Sequence, residues 1–268
     1  MKVIGEKING TRKRVAAAIA ERDADFIKDL AQKQTEAGAV WLDVNAGTHP
    51  DQEADDLVWL IETIQAVVDV PLCLDSANPA ALTVAIKAVN KTPMINSISG
   101  EPERLAGILP LVAEHGCEVI ALAMDAKKIP ETVAGRVDVI DAVMQQTRSA
   151  GVPDNHIYVD PLAMTLSTNV QSAMIACDTI RAISDAYPDV HFTMGLSNIS
   201  FGLPARSYIN RAFLTLAMAA GLDCAILDPL DSELRAAILA ADLVLGQDRH
   251  CLNYTRAYRA GVFDSTPK

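Results

Sequence analysis

The chain has 268 residues, 50% of them hydrophobic, enough apolar material to fill one large core, so a single domain over residues 1–268 is expected. Its 23 lysines and arginines stand against 34 aspartates and glutamates, and the net charge of −11 disfavours nucleic acid and anionic lipid as partners. The start, MKVIGEKING, lacks an extended apolar core, and no run of about 18 uninterrupted apolar residues follows, which argues against a leader or a membrane span.

Short β-branched or apolar runs recur at residues 2–5, 40–46, 71–75, 93–97, 118–124, 157–160, 191–197 and 224–228. Helical patterns fill the intervals. After the first run, GEKING carries Glu6 and Asn9; the second run bears Asp43 and Asn45. Leu57, Leu60, Ile61, Ile64 and Val68 then follow the three-and-four spacing of a helix face packed on a sheet. The third run ends LCLDS with Asp75, and Asn78 before Pro79 reads as an N-cap opening a helix through Leu82, Val84, Ile86 and Val89 to Asn90. Asn96 lies in the fourth run, Asp160 ends the sixth, and MGLSNISFG in the seventh holds Gly195, Ser197 and Asn198. Gly38, Gly116, Gly151 and Gly221 each sit after a helical run, where a left-handed cap turns the chain toward the next strand. Residues 247–268 read as a closing helix and tail.

A strand followed by a helix, eight times over, predicts a parallel sheet closed on itself: a (β/α)8 TIM barrel. In that fold the C-terminal strand ends converge on one mouth, so Asp75, Asn96, Asp160 and the GLSN segment meet despite their separation in sequence. Their polar groups suit a small heterocycle. Taken one at a time, each aspartate is equally an N-cap or a solvated strand end. The cysteines Cys73, Cys117, Cys177, Cys224 and Cys251 are odd in number and scattered, with no CxxC, which suits reduced thiols in a cytoplasmic protein and no tightly bound metal.

In their order and spacing GEKING, LDVNAG, LCLDS, MINS, YVDPL and GLSNISFGLPARSYINR resemble the pterin-binding methyltransferases. From Val3 to about Cys251 the chain looks like a methyltetrahydrofolate:corrinoid protein methyltransferase and is similar to the folate-binding barrel of cobalamin-dependent methionine synthase. The resemblance implies a one-carbon transferase that exchanges a methyl group between nitrogen-5 of tetrahydrofolate and the cobalt of a corrinoid carried by a separate protein. It also implies a homodimer. On the family pattern Asp160 holds the amino-pyrimidine edge of the pterin, while Asp75 and Asn96 hold the remaining ring groups. Gly195 lets the backbone approach the ring, Asn198 hydrogen-bonds nitrogen-5 as the methyl departs, and Ser197 flanks it. Arg206 matches a family arginine and either meets the aminobenzoate or glutamate tail or lies on the surface. Asp43, Asn45, Glu6, Asn9 and Ser97 are either pocket-lining or supporting groups, and Phe201 either stacks on the ring or covers the rim.

Two rival readings follow from the same residues. Dihydropteroate synthase also binds a pterin through strand-end aspartate and asparagine, but expelling pyrophosphate calls for cations, and neither DVNAGTHP nor GLSNISFG holds one. A noncatalytic folate-binding subunit would keep the pocket without turnover. The DxHxxG of a corrinoid-binding module is absent, since Asp154-Asn155-His156-Ile157-Tyr158-Val159 lacks the glycine, so the corrinoid must arrive on a partner and His156 reads as a strand-edge residue.

Overall fold

A side-chain period of two, with both faces apolar, obliges each strand to be covered on both sides, and a closed barrel inside a ring of helices does this. The computed structural model describes residues 1–126 and 128–263. The strands are β1 (Lys2–Asn9), β2 (Trp41–Asn45), β3 (Leu72–Asp75), β4 (Met94–Ser99), β5 (Glu118–Leu122), β6 (Ile157–Asp160), β7 (His191–Phe192) and β8 (Cys224–Leu227). Every pairing is parallel between sequence neighbours, and β1 pairs with both β2 and β8. Around them run α1 (Lys13–Glu21), α2 (Ala24–Glu36), α3 (Pro50–Gln65), α4 (Pro79–Ala85), α5 (Pro102–His115), α6 (Val133–Ser149), α7 (Ser172–Ala186), α8 (Arg206–Ala220), α9 (Ser232–Val244) and α10 (Leu252–Arg259).

The core divides accordingly. Ile4, Trp41, Cys73, Met94, Ile120, Tyr158 and Cys224 point inward and fill the barrel. The alternate residues, among them Leu42, Val44, Leu74, Val119, Val159 and Leu227, point outward and join the helix residues Leu57, Leu60, Ile61 and Ile64 of α3 and Ile180 and Ile183 of α7 in the larger core. Each fully buried Leu or Ile in this layer contributes about 1.5–3 kcal/mol. The barrel floor is closed by polar groups: Lys2 Nζ donates to the Tyr158 hydroxyl (2.9 Å), which donates to Glu118 Oε1 (3.4 Å).

Several expectations need correction. The seventh strand stops at Phe192 instead of continuing to residue 197, because Leu196–Ser200 coils into a 3-10 turn. The seam to β8 is closed by one bridge between Gly195 and Ile226, with Ile226 N–H donating to Met194 O (2.9 Å). Strand five ends at Leu122, short of residue 124, and strand one runs on to Asn9. Asn78 caps its helix as expected, its Oδ1 accepting from Ala80 and Ala81 N–H (3.1 and 3.4 Å), but α4 ends at Ala85 and not Asn90. Val68 lies beyond the end of α3. His156 closes a 3-10 turn immediately before β6. The four cap glycines all have positive φ, Gly38 at 102°, Gly116 at 63°, Gly151 at 80° and Gly221 at 121°. A closing helix forms as α10, while residues 264–268 of the expected tail lie outside the described residues. Among the described residues no helix is long and apolar enough to cross a membrane.

At the mouth the loops after β1 and β2 cross backbone to backbone. Gly10 N–H donates to Asn45 O (2.8 Å), a Cβ on Gly10 would overlap the Ala46 carbonyl, and a Cβ on Gly47 would overlap the backbone of Gly10. Glycine is required at this crossing by space. Gly10→Ala should therefore destabilise the fold by about 1–3 kcal/mol, the usual cost of overpacking, read as a lower urea midpoint; an unchanged midpoint would show that the two loops separate freely.

Candidate active site

Above the inner core, the next inward position on each strand reaches the mouth. These positions hold Glu6 on β1, Asp43 and Asn45 on β2, Asp75 on β3, Asn96 on β4, Leu122 on β5, Asp160 on β6 and Ile226 on β8. Leu122 and Ile226 are half-buried against the inner core and give the mouth an apolar floor. On one side of that floor stand β2, β3 and β4. Asn45 Nδ2 donates to Asp75 Oδ2 (2.8 Å), and Asn96 Nδ2 donates to Asp43 Oδ1 (3.2 Å). Asp75 and Asn96 are register partners in the sheet. The Asn96–Ser97 peptide is cis, and the pairing with β5 slips between Asn96 and Ile98. Glu53 of α3 supports the loop after β3, accepting from Ser76 Oγ (2.5 Å) and Asn78 Nδ2 (3.1 Å).

On the other side stand β6 and the turn after β7. Asp160 is 8% exposed, and its Oδ1 accepts from Leu162 N–H (2.7 Å). The backbone of Gly195 also donates to Asp160, joining the sixth strand end to the GLSN segment. Asn198 is exposed on the 3-10 turn, its Nδ2 3.8 Å from where a Cβ of Gly195 would be, so the amide folds back over the glycine. Arg206, at the start of α8, grips this turn from outside: Nη2 donates to Ser197 O (2.6 Å) and Nε to Ser200 Oγ (2.9 Å). Ser200 Oγ donates in turn to the buried Asn210 Oδ1 (2.7 Å). Phe201, next in the chain, is 67% exposed on the rim. Asn96 and Asp160 are two strand spacings apart, roughly 9–10 Å along the sheet, the span of a bicyclic ring.

The electrostatics of the two sides differ. Burial pushes Asp43 well above the usual carboxylate range, and the neighbouring Asp75 pushes it further. Burial also raises Asp75, opposed by the bond from Asn45 and by the charge of Arg104 on α5. Asp160 is pushed up to about 7 by burial, against the backbone donors and the charge of Arg136. Glu6 is raised by burial although Arg12 pairs with it (2.8 Å). The other cation near this side, Lys7, is paired with Asp228 (2.7 Å). The mouth is thus an apolar floor between two acceptor-rich walls, suited to a flat, neutral ring with donors along its edges. Among the described residues no group of three or more His, Cys, Asp or Glu is disposed to hold a metal ion.

The strand-end residues singled out in the sequence therefore fall into two groups across one floor: Asp75 and Asn96 with Asp43 and Asn45, and Asp160 with Gly195, Ser197, Asn198 and Arg206. Sequence reading missed Leu122 and Ile226, which look like ordinary strand residues. It also missed Glu53, Arg104 and Arg136, which reach the site from helices and carry no strand-end signal.

Residues 5–228 match the family described as pterin binding enzyme. The chain is 41% identical over 263 residues to the methylcorrinoid:tetrahydrofolate methyltransferase of Eubacterium limosum, covering 97% of each. It is 33% identical over 238 residues to the methionine synthase of Mycobacterium tuberculosis, covering 84% of this chain but 20% of that far longer protein. Dihydropteroate synthase of Xanthomonas albilineans shares the fold, with a TM-score of 0.66 and 21% identity over 91% of this chain and 93% of that one.

The titration of Asp160 is directly measurable. Carboxyl carbon-13 NMR of the folate-free protein should show the Asp160 resonance, identified by its loss in Asp160→Asn, titrating at about 7; an Asp160 midpoint in the ordinary range would mean that water reaches it freely.

Proposed function

The chain belongs to the pterin-binding enzyme family, and on that premise we propose how its residues carry out the reaction. The enzyme is a methyltransferase that exchanges a methyl group between nitrogen-5 of tetrahydrofolate and the cobalt of a corrinoid held by a separate protein. The observation that carries the assignment of residues is the pair of acceptor walls facing each other across the floor of Leu122 and Ile226.

The pterin lies on that floor. Asp160, aimed inward by the N–H groups of Leu162 and Gly195, accepts from the ring amino group and the adjacent N–H, a paired contact that only the ionised carboxylate makes fully. Asp75 and Asn96 take the remaining ring groups. Because Asn96 gives its Nδ2 to Asp43, its Oδ1 is turned out as an acceptor; because Asn45 holds one oxygen of Asp75, the other is left for the ligand. Gly195 and Ser197 bring backbone close to the ring, and Arg206 steadies their turn, beside which the aminobenzoate end of the folate passes. Lys7 and Arg12 are already neutralised by Asp228 and Glu6, which leaves the mouth poorly suited to a departing pyrophosphate.

In the direction that consumes methyltetrahydrofolate, the methyl leaves nitrogen-5, the C–N electron pair stays on nitrogen, and a proton must arrive there. In the other direction the nitrogen pair takes the methyl and the proton leaves. Asn198 serves both by a hydrogen bond at nitrogen-5 that strengthens as charge develops. Its exposed position keeps the methyl accessible in line to the partner. An amide is not an acid at neutral pH; of the two expected proton sources, Asp160 and a water relay, the relay serves while Asp160 is ionised on the ring edge.

We infer a homodimer, supported by the outer face of α8, where Tyr208, Ala212, Thr215, Leu216 and Ala219 are all exposed and none is charged. Sedimentation should give a two-chain species at micromolar concentration that Leu216→Glu splits; a single-chain mass for the parent protein would remove the inference. The free, buried thiols of Cys73, Cys117, Cys177 and Cys224 suit the cytoplasm, which fractionation of the native cells would check. For the chemistry, Asn198→Ala should lower methyl transfer to a reduced corrinoid roughly 10²-fold or more while folate affinity falls much less, since the bond is made chiefly in the transition state. The loss of cobalt(I) absorbance reads the rate; a fall in affinity alone would assign Asn198 to binding.

A further inference from the structure

Arg136 sits one turn into α6 and is 2% exposed; among the described residues no other arginine or lysine is buried. Sinking a guanidinium this far is unfavourable unless its donors and its charge are both answered. The donors are answered by carbonyls. Nε donates to Pro130 O (3.0 Å), and Nη1 donates to Pro161 O (2.6 Å) and to Leu162 O (3.0 Å). Among the described residues no carboxylate forms an ion pair with it.

Two of the three carbonyls it holds, those of Pro161 and Leu162, belong to the residues directly after Asp160. Leu162 has φ of 63°, an unusual conformation for a branched side chain, and from it the Leu162 N–H donates to Asp160 Oδ1. Arg136 therefore clamps one side of a turn whose other side clamps the carboxylate. Its charge reaches the same group. Of the elements around Asp160, Arg136 on α6 is the charged group acting on it, while the loop after β6 and the turn after β7 contribute the backbone donors of Leu162 and Gly195. The relation is mutual, since Asp160 supports the charged form of Arg136 against its burial.

We propose that Arg136 is the positioning residue for Asp160, fixing the turn that aims the carboxylate and, by its charge, keeping that carboxylate ionised so that it accepts the donor edge of the pterin. The link to folate rests on the assignment of Asp160 made above. The arrangement separates two tasks. A neutral side chain of similar reach would answer the three carbonyls, but only a cation also holds a proton off Asp160.

The test uses the full-length enzyme with Arg136→Met and Arg136→Lys, and reads two quantities: the Asp160 titration in folate-free protein by carboxyl carbon-13 NMR, and tetrahydrofolate affinity from about pH 5.5 to about pH 9. In the parent enzyme affinity should rise with pH through the Asp160 midpoint and then level. In Arg136→Met the midpoint should move up by about one unit, so that affinity near neutral pH falls roughly fivefold and recovers at higher pH. Arg136→Lys keeps the charge and should keep the midpoint while weakening affinity evenly across pH. An unmoved Asp160 midpoint in Arg136→Met overturns the proposal and leaves Arg136 a loop brace. A midpoint that moves while affinity does not follow instead removes Asp160 from the folate edge and leaves its link to Arg136 standing. Should Arg136→Met not fold, Arg136→Met/Asp160→Asn, which removes both charges, is expected to fold; a double variant no more stable than the single one also overturns the proposal.

Discussion

One geometric constraint governs the molecule: side chains on eight parallel strands alternate between an interior that admits little and a helix-covered exterior. Ile4, Trp41, Cys73, Met94, Ile120, Tyr158 and Cys224 use up the interior to mid-height. Whatever stands two residues further along each strand is delivered to the mouth, which is why Glu6, Asp43, Asp75, Asn96, Leu122, Asp160 and Ile226 share it. Slipping β2, β3 or β6 by one residue would send Asp43, Asp75 or Asp160 among the helices and a Leu or Val into the mouth. Packing and chemistry are thus set by the same register.

Placing Asp43, Asp75 and Asp160 beside Glu6 in so dry a mouth costs free energy, and the mouth offsets only part of it. Asp75 has one amide donor from Asn45, Asp43 one from Asn96, and Asp160 two backbone N–H groups and the charge of Arg136. Each buried acceptor left wanting costs on the order of 1–3 kcal/mol. A ligand rich in donors recovers that energy, whereas one bearing negative charge adds to the cost. In the proposed binding mode selectivity for a neutral heterocycle follows from incomplete satisfaction, while burial holds Asp160 at about 7.

The barrel was legible because every strand is apolar on both faces and is followed by a helix with its own cap, as at Asn78. The strand-end residues were legible for the same reason. Where reading from sequence failed, a tertiary cause is visible. MGLSN has the composition of a strand, yet the chain leaves the sheet after Phe192 to coil at Leu196–Ser200 and meet Asp160 through Gly195. Arg136 and Arg104 are spaced like surface residues of amphipathic helices, and only the three-dimensional crossing of α5 and α6 with neighbouring loops turns them toward the mouth. Arg206 carried a resemblance, but its grip on Ser197 and Ser200 from outside the turn is a matter of where α8 begins.

The seam between β7 and β8 links folding to occupancy. Seven of the eight strand-to-strand joints are paired ladders, while the eighth has a single bridge at Gly195 and Ile226, supported lower down by Asp223, which bonds His191 and the Phe192 N–H. In the proposed binding mode those two residues also border the ring, one as backbone beside it and one as floor beneath it. A ring seated against both acts as a rivet across the thinnest joint of the hoop, so that cohesion of the whole barrel and saturation of its mouth rise together by simple mass action. On that binding mode the barrel is stiffest when loaded, the state in which the corrinoid-bearing protein would meet its open end.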